Sequence, residues 1–128
     1  MLMFEDTVTI FNLYNEIWYP TVLQGVEVQE VTGQTESKDG SKPNNDCSLH
    51  IPENLMANYK KPKEYQGEGF TIREGDFFVV GDFSSEPIDE NDYESGYLTY
   101  MRNTYDSVYY INSVGLYKTI RHIEVAAS

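Results

Sequence analysis

The sequence is short of cysteine, histidine and long apolar runs, and each shortage excludes a class of protein. The single Cys47 cannot form an intrachain disulfide, so the fold is expected not to depend on oxidation. No apolar run approaches the roughly 20 residues that cross a bilayer, which argues against a membrane protein. The start MLMFEDTVTI lacks the basic and apolar parts of a signal peptide. We therefore expect a soluble protein that is made in the cytoplasm.

Basic residues are also scarce. The 128-residue chain has 9 basic and 21 acidic residues, which gives a formal net charge of −12. The first 37 residues contain six acids and no Lys or Arg. Because a phosphate backbone is bound by clustered Lys or Arg, this balance argues against sequence-specific nucleic-acid binding. The small basic cluster of Lys60, Lys61 and Lys63 is typical of a solvated loop.

Short β-branched and aromatic runs, separated by turn-forming residues, predict a mainly β fold. Cys47, Leu49 and Ile51 alternate with polar residues, which predicts a half-buried strand. The uninterrupted FFVV, residues 77–80, predicts a strand covered on both faces. We expect a small antiparallel barrel or sandwich of about six strands with one short helix and long loops. The predicted strands are 7–14, 21–31, 47–52, 70–72, 77–80, 107–114 and 117–125.

Turn-forming residues divide these strands. Trp18-Tyr19-Pro20 is expected to interrupt the first pair, since Pro cannot donate within a central ladder. Glu74-Gly75 is expected to turn a hairpin between 70–72 and 77–80. Val114-Gly115 is expected to turn the chain between the last two strands.

Two loops and a short helix complete a single domain that spans residues 1–128. The tract 33–46 has no apolar residue and predicts a flexible loop. An acidic loop is predicted around 82–96. After it, Ser95 is expected to cap a helix in which Tyr97 and Met101 share one face.

No residue pattern selects a catalytic, cofactor or metal site. A structural zinc site usually needs about four Cys or His ligands, whereas the chain has one Cys and two His. A calcium loop needs Gly at its sixth position, but counting from Asp82 places Pro87 there and counting from Asp89 places Glu94. The acids offer no selected acid–base pair of the kind that glycosidases use. A nucleophile pair of Cys47 with His122 stays open, although no local pattern supports it.

The acidic loop is interpreted as solvated and as a contact for a basic partner surface, since complementary potentials steer encounter. Replacing Asp89, Glu90 and Asp92 together with Asn or Gln is therefore expected to leave the fold intact and to weaken assembly. Two alternatives stay open. A carbohydrate- or ligand-binding module would have a tyrosine-lined groove near Trp18, and a hydrolase would place Glu86 or Asp89 in a deep cleft with a raised pKa. The candidate interaction residues are Trp18, Tyr19, Asp82, Glu86, Asp89, Glu90, Asp92 and Tyr97.

Four stretches resemble the small minor structural proteins of phages and prophages that join head and tail, the head-closure or stopper-like proteins. They are DTVTIFNLYNEIWYPTVLQGV, CSLHIPEN, REGDFFVVGDFSSEPID and SVGLYKTIRHIEV. The resemblance implies a virion subunit without catalysis or cofactor, made in the bacterial host cytoplasm. It also implies a ring of copies between the portal-bound adaptor and the tail, which seals the filled head. A tail terminator is another connector position that the resemblance allows.

Overall fold

The computed structural model describes residues 4–34, 43–117 and 122–128. Within these ranges the chain forms a closed antiparallel barrel of six strands, a two-residue strand attached to it, and one α-helix. A mainly β barrel with one short helix is therefore confirmed. Single turns of 3₁₀-helix lie at Glu53–Leu55 and Glu90–Asp92. The other elements are β1 (Asp6–Tyr14), β2 (Ile17–Gln34), β3 (Pro43–Ile51), β4 (Phe77–Val80), β5 (Ile88–Asp89), α1 (Tyr97–Thr104), β6 (Val108–Tyr117) and β7 (His122–Ala127).

The barrel closes because two long strands take part in both of its halves. The order around the ring is β1-β4-β6-β7-β3-β2, and β2 returns to pair with β1. β2 pairs with β1 up to Val26 and with β3 from Glu27 onwards. β6 likewise passes from β4 to β7 at Ile111. The register skips Gly25 in β2 and Asn112 in β6, and such bulges bend strands at the corners of barrels.

β2 continues through Pro20, so the predicted interruption is wrong. Pro20 lies opposite Phe11 of β1 in the register. Within the described ranges, residues 19–26 pair with β1 alone, because β3 begins to pair at Glu27 and β5 pairs only at 17–18. This part of β2 is an open edge, which is where a strand tolerates Pro.

β4 pairs with β1 and β6, so the predicted hairpin between 70–72 and 77–80 is wrong. Phe70 makes a single parallel bridge with Tyr59 instead. β1 and β6 pair along the two edges of β4, and its side chains enter two different cores, so both of its faces are covered as predicted. The predicted turn is present, with Gly75 at a φ of +100°.

The predicted turn at Val114-Gly115 is also wrong, because β6 continues to Tyr117 and pairs with β7 as far as His122. The connection 118–121 lies outside the described residues. The ends of the predicted 33–46 loop belong to strands, since β2 reaches Gln34 and β3 begins at Pro43. The middle of that loop, 35–42, also lies outside the described residues.

The apolar side chains form two cores. The inner core fills the barrel and includes Cys47, Leu49 and Ile51, which confirms the predicted alternation. The outer core lies on the opposite face of β1 and β4 and includes α1. Side chains alternate across a strand, so Phe78 enters the inner core while its neighbours in β4 enter the outer one. The outer core contains Phe11, Trp18, Phe77, Val79, Tyr97, Met101 and Val108.

Candidate interaction surface

Glu90 holds the acidic loop against the outer core. Its Oε1 accepts a 2.8 Å hydrogen bond from Nε1 of Trp18 and another of 2.8 Å from the backbone N–H of Tyr97. Its own backbone N–H donates to the carbonyl of Glu16 at 2.9 Å. One residue therefore joins β2, the acidic loop and the first turn of α1.

The same carboxylate caps α1, so the prediction that Ser95 is the cap is wrong. The N-cap residue is Gly96, which has a φ of +90° and offers no side chain. A Cβ at this position would lie 3.1 Å from Oε2 of Glu90. Glycine therefore lets the carboxylate approach a helix end whose first N–H groups lack partners within the helix.

A groove of about 430 Å³ lies between the acidic loop and α1. Five of its ten lining residues are aromatic, with ring centroids 4.8 Å apart for Tyr93 and Tyr100 and 5.0 Å apart for Phe83 and Tyr105. Tyr100 and Tyr105 are each 41% exposed. We call this feature the tyrosine groove and define it by Asp82, Phe83, Tyr93, Tyr97, Tyr100 and Tyr105.

Carboxylates dominate the sequence around the tyrosine groove. Residues 82–106 contain seven acidic residues and one basic residue, Arg102. The guanidinium of Arg102 donates to the backbone carbonyl of Ser128. In the part of the chain that the structure describes, none of the seven acids belongs to an ion pair. The local charge is therefore negative and uncompensated.

The structure distributes the predicted interaction residues unevenly. Asp82 and Tyr97 meet at the tyrosine groove, and Trp18 lies in the outer core beneath it, only 4% exposed. Glu90 supports the fold through its bonds to Trp18 and Tyr97, and the effect of replacing the loop acids together stays a prediction. The remaining four lie outside the groove: Tyr19 and Asp89 are half-buried, and Glu86 and Asp92 are exposed.

Sequence reasoning missed most of the exposed aromatic wall. Tyr97 and Tyr100 are three residues apart on α1, with ring centroids at 6.0 Å, so the helical period could have revealed this pair. Phe83 and Tyr105 are brought together only by the tertiary fold. No local pattern connects residues so far apart in the chain.

A buried polar network fixes the segment 71–76 to β1. Nδ2 of Asn12 donates to the carbonyl of Thr71 at 2.7 Å and to Oδ2 of Asp76 at 2.9 Å. Nε of Arg73 donates to the same Asp76 oxygen at 2.7 Å. Burial raises the pKa of Asp76, although the bonds from Asn12 and Arg73 act in the opposite direction. The Asp76 carboxyl is therefore buried and held by Asn12 and Arg73 in a structural network beside β1.

The two histidines meet at one carboxylate. β3 pairs with β7 so that His50 lies opposite Glu124, with 3.8 Å between Nε2 and Oε1. His122 lies on the same β7 face, with 2.9 Å between its Nε2 and Oε2 of Glu124. The spacing of residues along the sequence could not predict that Glu124 lies beside His50, because the pairing of β3 with β7 brings the two together. Among residues 4–34, 43–117 and 122–128, no group of three or more His, Cys, Asp or Glu is arranged to hold a metal ion.

The thiol of Cys47 lies in the inner core. Burial, assisted by the charge of Glu30, raises its pKa to about 12. His122 precedes the buried Ile123 in β7 and therefore points to the opposite face of the strand. A nucleophile pair of Cys47 with His122 does not form.

Comparison with known proteins gives one match. A protein-family model described as "Family of unknown function (DUF6751)" matches residues 3–128. No curated protein and no solved structure matches the chain. Of the helices in the described ranges, none has the length and apolarity needed to span a bilayer.

Proposed function

This chain belongs to the DUF6751 family, and we propose that it is a non-enzymatic structural subunit of a tailed-phage or prophage particle. In this role it forms a ring at the head–tail connector and contacts portal, adaptor and tail proteins. Support comes from the resemblance of four stretches to head-closure proteins. The structural observation that carries the proposal is the tyrosine groove, whose exposed rings share the groove with the carboxylate of Asp82.

The tyrosine groove has the chemistry of a protein contact. Tyr100 and Tyr105 offer large rings with a polar tip, and such residues are enriched at interfaces. The floor of the groove is rigid, because Phe77 packs on Trp18 at 4.9 Å and on Tyr97 at 6.0 Å between ring centroids. A pre-ordered surface loses little conformational entropy when a partner binds.

The ring contact is proposed at the open edge of β2. Residues 19–26 pair with β1 alone within the described ranges, so backbone groups on the other side can receive a strand from a neighbouring copy. Pro20 has no N–H, which restricts such pairing to the residues that follow it. The ring would then use backbone hydrogen bonds and leave the tyrosine groove to other proteins.

Native mass spectrometry of the purified chain, alone and mixed with the portal and adaptor proteins of a tailed phage, tests this function. We expect a closed oligomer, a complex with portal and adaptor, or both. The proposal would be contradicted if the chain stays monomeric and binds neither protein at concentrations well above those at which connectors assemble.

A carbohydrate- or ligand-binding module is the second function that an observation favours. That alternative required a tyrosine-lined groove near Trp18, and the tyrosine groove lies directly over the outer core. Asp82 accepts a 3.0 Å bond from the amide of Ser84 at one side of it, so polar groups that could meet hydroxyls are present. A panel of soluble glycans that raises the melting temperature of the wild type, but not of Tyr100→Ala, would support this function over the first.

A further inference from the structure

We infer that the tyrosine groove is the docking site for a basic, arginine-bearing segment of a different protein, not of a second copy of this chain. This inference rests on the proposed function and deepens it, because it assigns one face of the subunit to one kind of partner. Three properties support it: the exposed rings, the surrounding charge and the charge of the chain as a whole.

The exposed rings suit a guanidinium. Arg stacks on the faces of aromatic side chains and can donate hydrogen bonds to carboxylates at the same time. The protein already contains this arrangement elsewhere, since the guanidinium carbon of Arg73 lies 5.6 Å from the ring centroid of Tyr65 while its Nε bonds to Asp76. Tyr100 and Tyr105 present comparable rings to solvent, with Asp82 in the same groove.

The charge around the tyrosine groove selects a cationic occupant. Residues 82–106 have a formal charge of −6, from seven acids and one Arg, and none of these acids is neutralised by an ion pair in the described ranges. An acidic segment would be repelled, and a neutral one would gain nothing from the field. Aromatic rings beside Asp82, in a segment with an excess of acids, therefore favour a partner segment that combines cations with apolar side chains.

The charge of the whole chain argues against a second copy. A second copy in the tyrosine groove would bring its own net charge of −12 towards the acidic residues 82–106, which disfavours that contact unless it places cations against the acids. Of the basic residues that the structure describes, Arg73 is paired with Asp76 and Arg102 bonds to Ser128. Only the lysines 60, 61 and 63 lack such a partner among the described basic residues, and Lys lacks the planar group that stacks on Tyr. A basic segment of another protein fits the groove better.

Fluorescence anisotropy with labelled peptides tests the inference. The probe is a peptide of about ten residues that alternates Arg with Leu, compared with the same peptide carrying Lys or Glu in place of Arg. We expect binding in the order Arg, then Lys, with the Glu peptide not bound. Raising the salt from about 0.05 M to about 0.5 M should weaken binding of the Arg peptide, because screening acts on the acids around the groove.

Two variants test whether the peptide binds in the tyrosine groove. The double variant Tyr100→Ala/Tyr105→Ala should bind the Arg peptide about tenfold more weakly, while Phe4→Ala, an exposed ring elsewhere, should bind it normally. Asp82→Asn with Glu86→Gln should weaken binding and reduce its salt dependence without removing a ring. Thermal melts of each variant show whether the fold is kept. Equal binding of the Arg and Glu peptides, or normal binding by both groove variants, would overturn the inference.

The two proposals fail in different ways. If the chain assembles with portal and adaptor but the groove variants assemble equally well and the Arg peptide does not bind, the docking inference is wrong and the connector function stands. If the Arg peptide binds in the groove but the chain neither assembles nor contacts portal or adaptor, the connector function is wrong. Self-association that the groove variants abolish would show that the occupant is a second copy, which contradicts the inference.

Discussion

The indole N–H of Trp18 donates a 2.8 Å hydrogen bond to Oε1 of Glu90, and this bond ties the acidic loop to the outer core. Among the acids of this loop, Asp82 and Asp89 accept bonds from backbone amides two residues away, whereas Glu90 bonds to β2 and to α1. Trp18 is buried, so its indole N–H needs an acceptor within the protein, and Glu90 supplies it. The shape of the tyrosine groove therefore depends on one carboxylate.

Glu90→Ala is expected to destabilise the fold by about 2 kcal/mol, because it leaves the N–H groups of Trp18 and Tyr97 without their acceptor. Glu90→Gln should retain most of the stability, since its amide oxygen can accept both bonds. The exposed Glu94→Ala serves as the control and should change the free energy of unfolding little. Urea unfolding measures all three. Equal effects of Glu90→Ala and Glu94→Ala would show that the carboxylate does not hold the loop.

Asp76 should make the folded protein less stable as the pH rises. Its pKa is raised in the folded state, so the folded protein holds this proton more tightly than the unfolded chain does. The stability that Asp76 contributes is full below the unfolded pKa of about 3.9 and is lost as the pH rises through the folded value.

In Asp76→Asn this pH-dependent part of the free energy of unfolding should disappear, while the titration of the other acids continues. The difference between the two proteins, measured by urea unfolding from about pH 3.5 upwards, isolates Asp76. A difference that does not change with pH would mean that the carboxyl titrates normally in the fold.

Two buried tyrosines should limit stability at alkaline pH. Burial raises the pKa of Tyr65 to about 12 and that of Tyr97 to about 12. Because the folded state favours the neutral phenols, stability is present below the unfolded pKa of about 10 and is lost as the pH rises towards the folded value. Tyr97→Phe should therefore unfold at a higher pH than the wild type in an ultraviolet-monitored titration. An unchanged midpoint in Tyr97→Phe would contradict the role of burial.

Two glycines with positive φ should respond differently to alanine. A Cβ on Gly69, which has a φ of +72°, would lie 2.3 Å from the carbonyl oxygen of Asn58, and that oxygen also accepts the amide of Phe70. Gly69→Ala should therefore destabilise the fold by about 3 kcal/mol. A Cβ on Gly75 would meet nothing closer than 4.0 Å, so Gly75→Ala should cost only about 1 kcal/mol of backbone strain. Similar melting temperatures for the two variants would contradict this difference.

The local residue pattern predicted the strands correctly where their structure depends only on which side chains are buried. The alternation at 47–51 and the uninterrupted FFVV gave the correct strands and correct buried faces, since side-chain direction is fixed by the strand period. The prediction was wrong where pairing with a strand distant in the sequence determines the structure. Pro20 fits β2 because its neighbour lies on one side only, and Val114-Gly115 stays in β6 because β7 pairs across it.

The candidate site was predictable only in part. The acids of the loop and the buried face of Tyr97 follow from the sequence, but Phe83 and Tyr105 meet only in the folded chain. The role of Glu90 also depends on tertiary contact, because Trp18 is 72 positions away in the chain. A periodic pattern in the sequence cannot predict a hydrogen bond between residues so far apart in the chain.

The most direct test of the proposed function is the affinity of the chain for a portal–adaptor assembly of a tailed phage, measured by biolayer interferometry. Wild type and the exposed control Leu116→Ala should bind alike, and Tyr100→Ala/Tyr105→Ala should bind about tenfold more weakly. No binding by the wild type, or equal binding by all three proteins, would contradict the claim that this subunit works through its tyrosine groove.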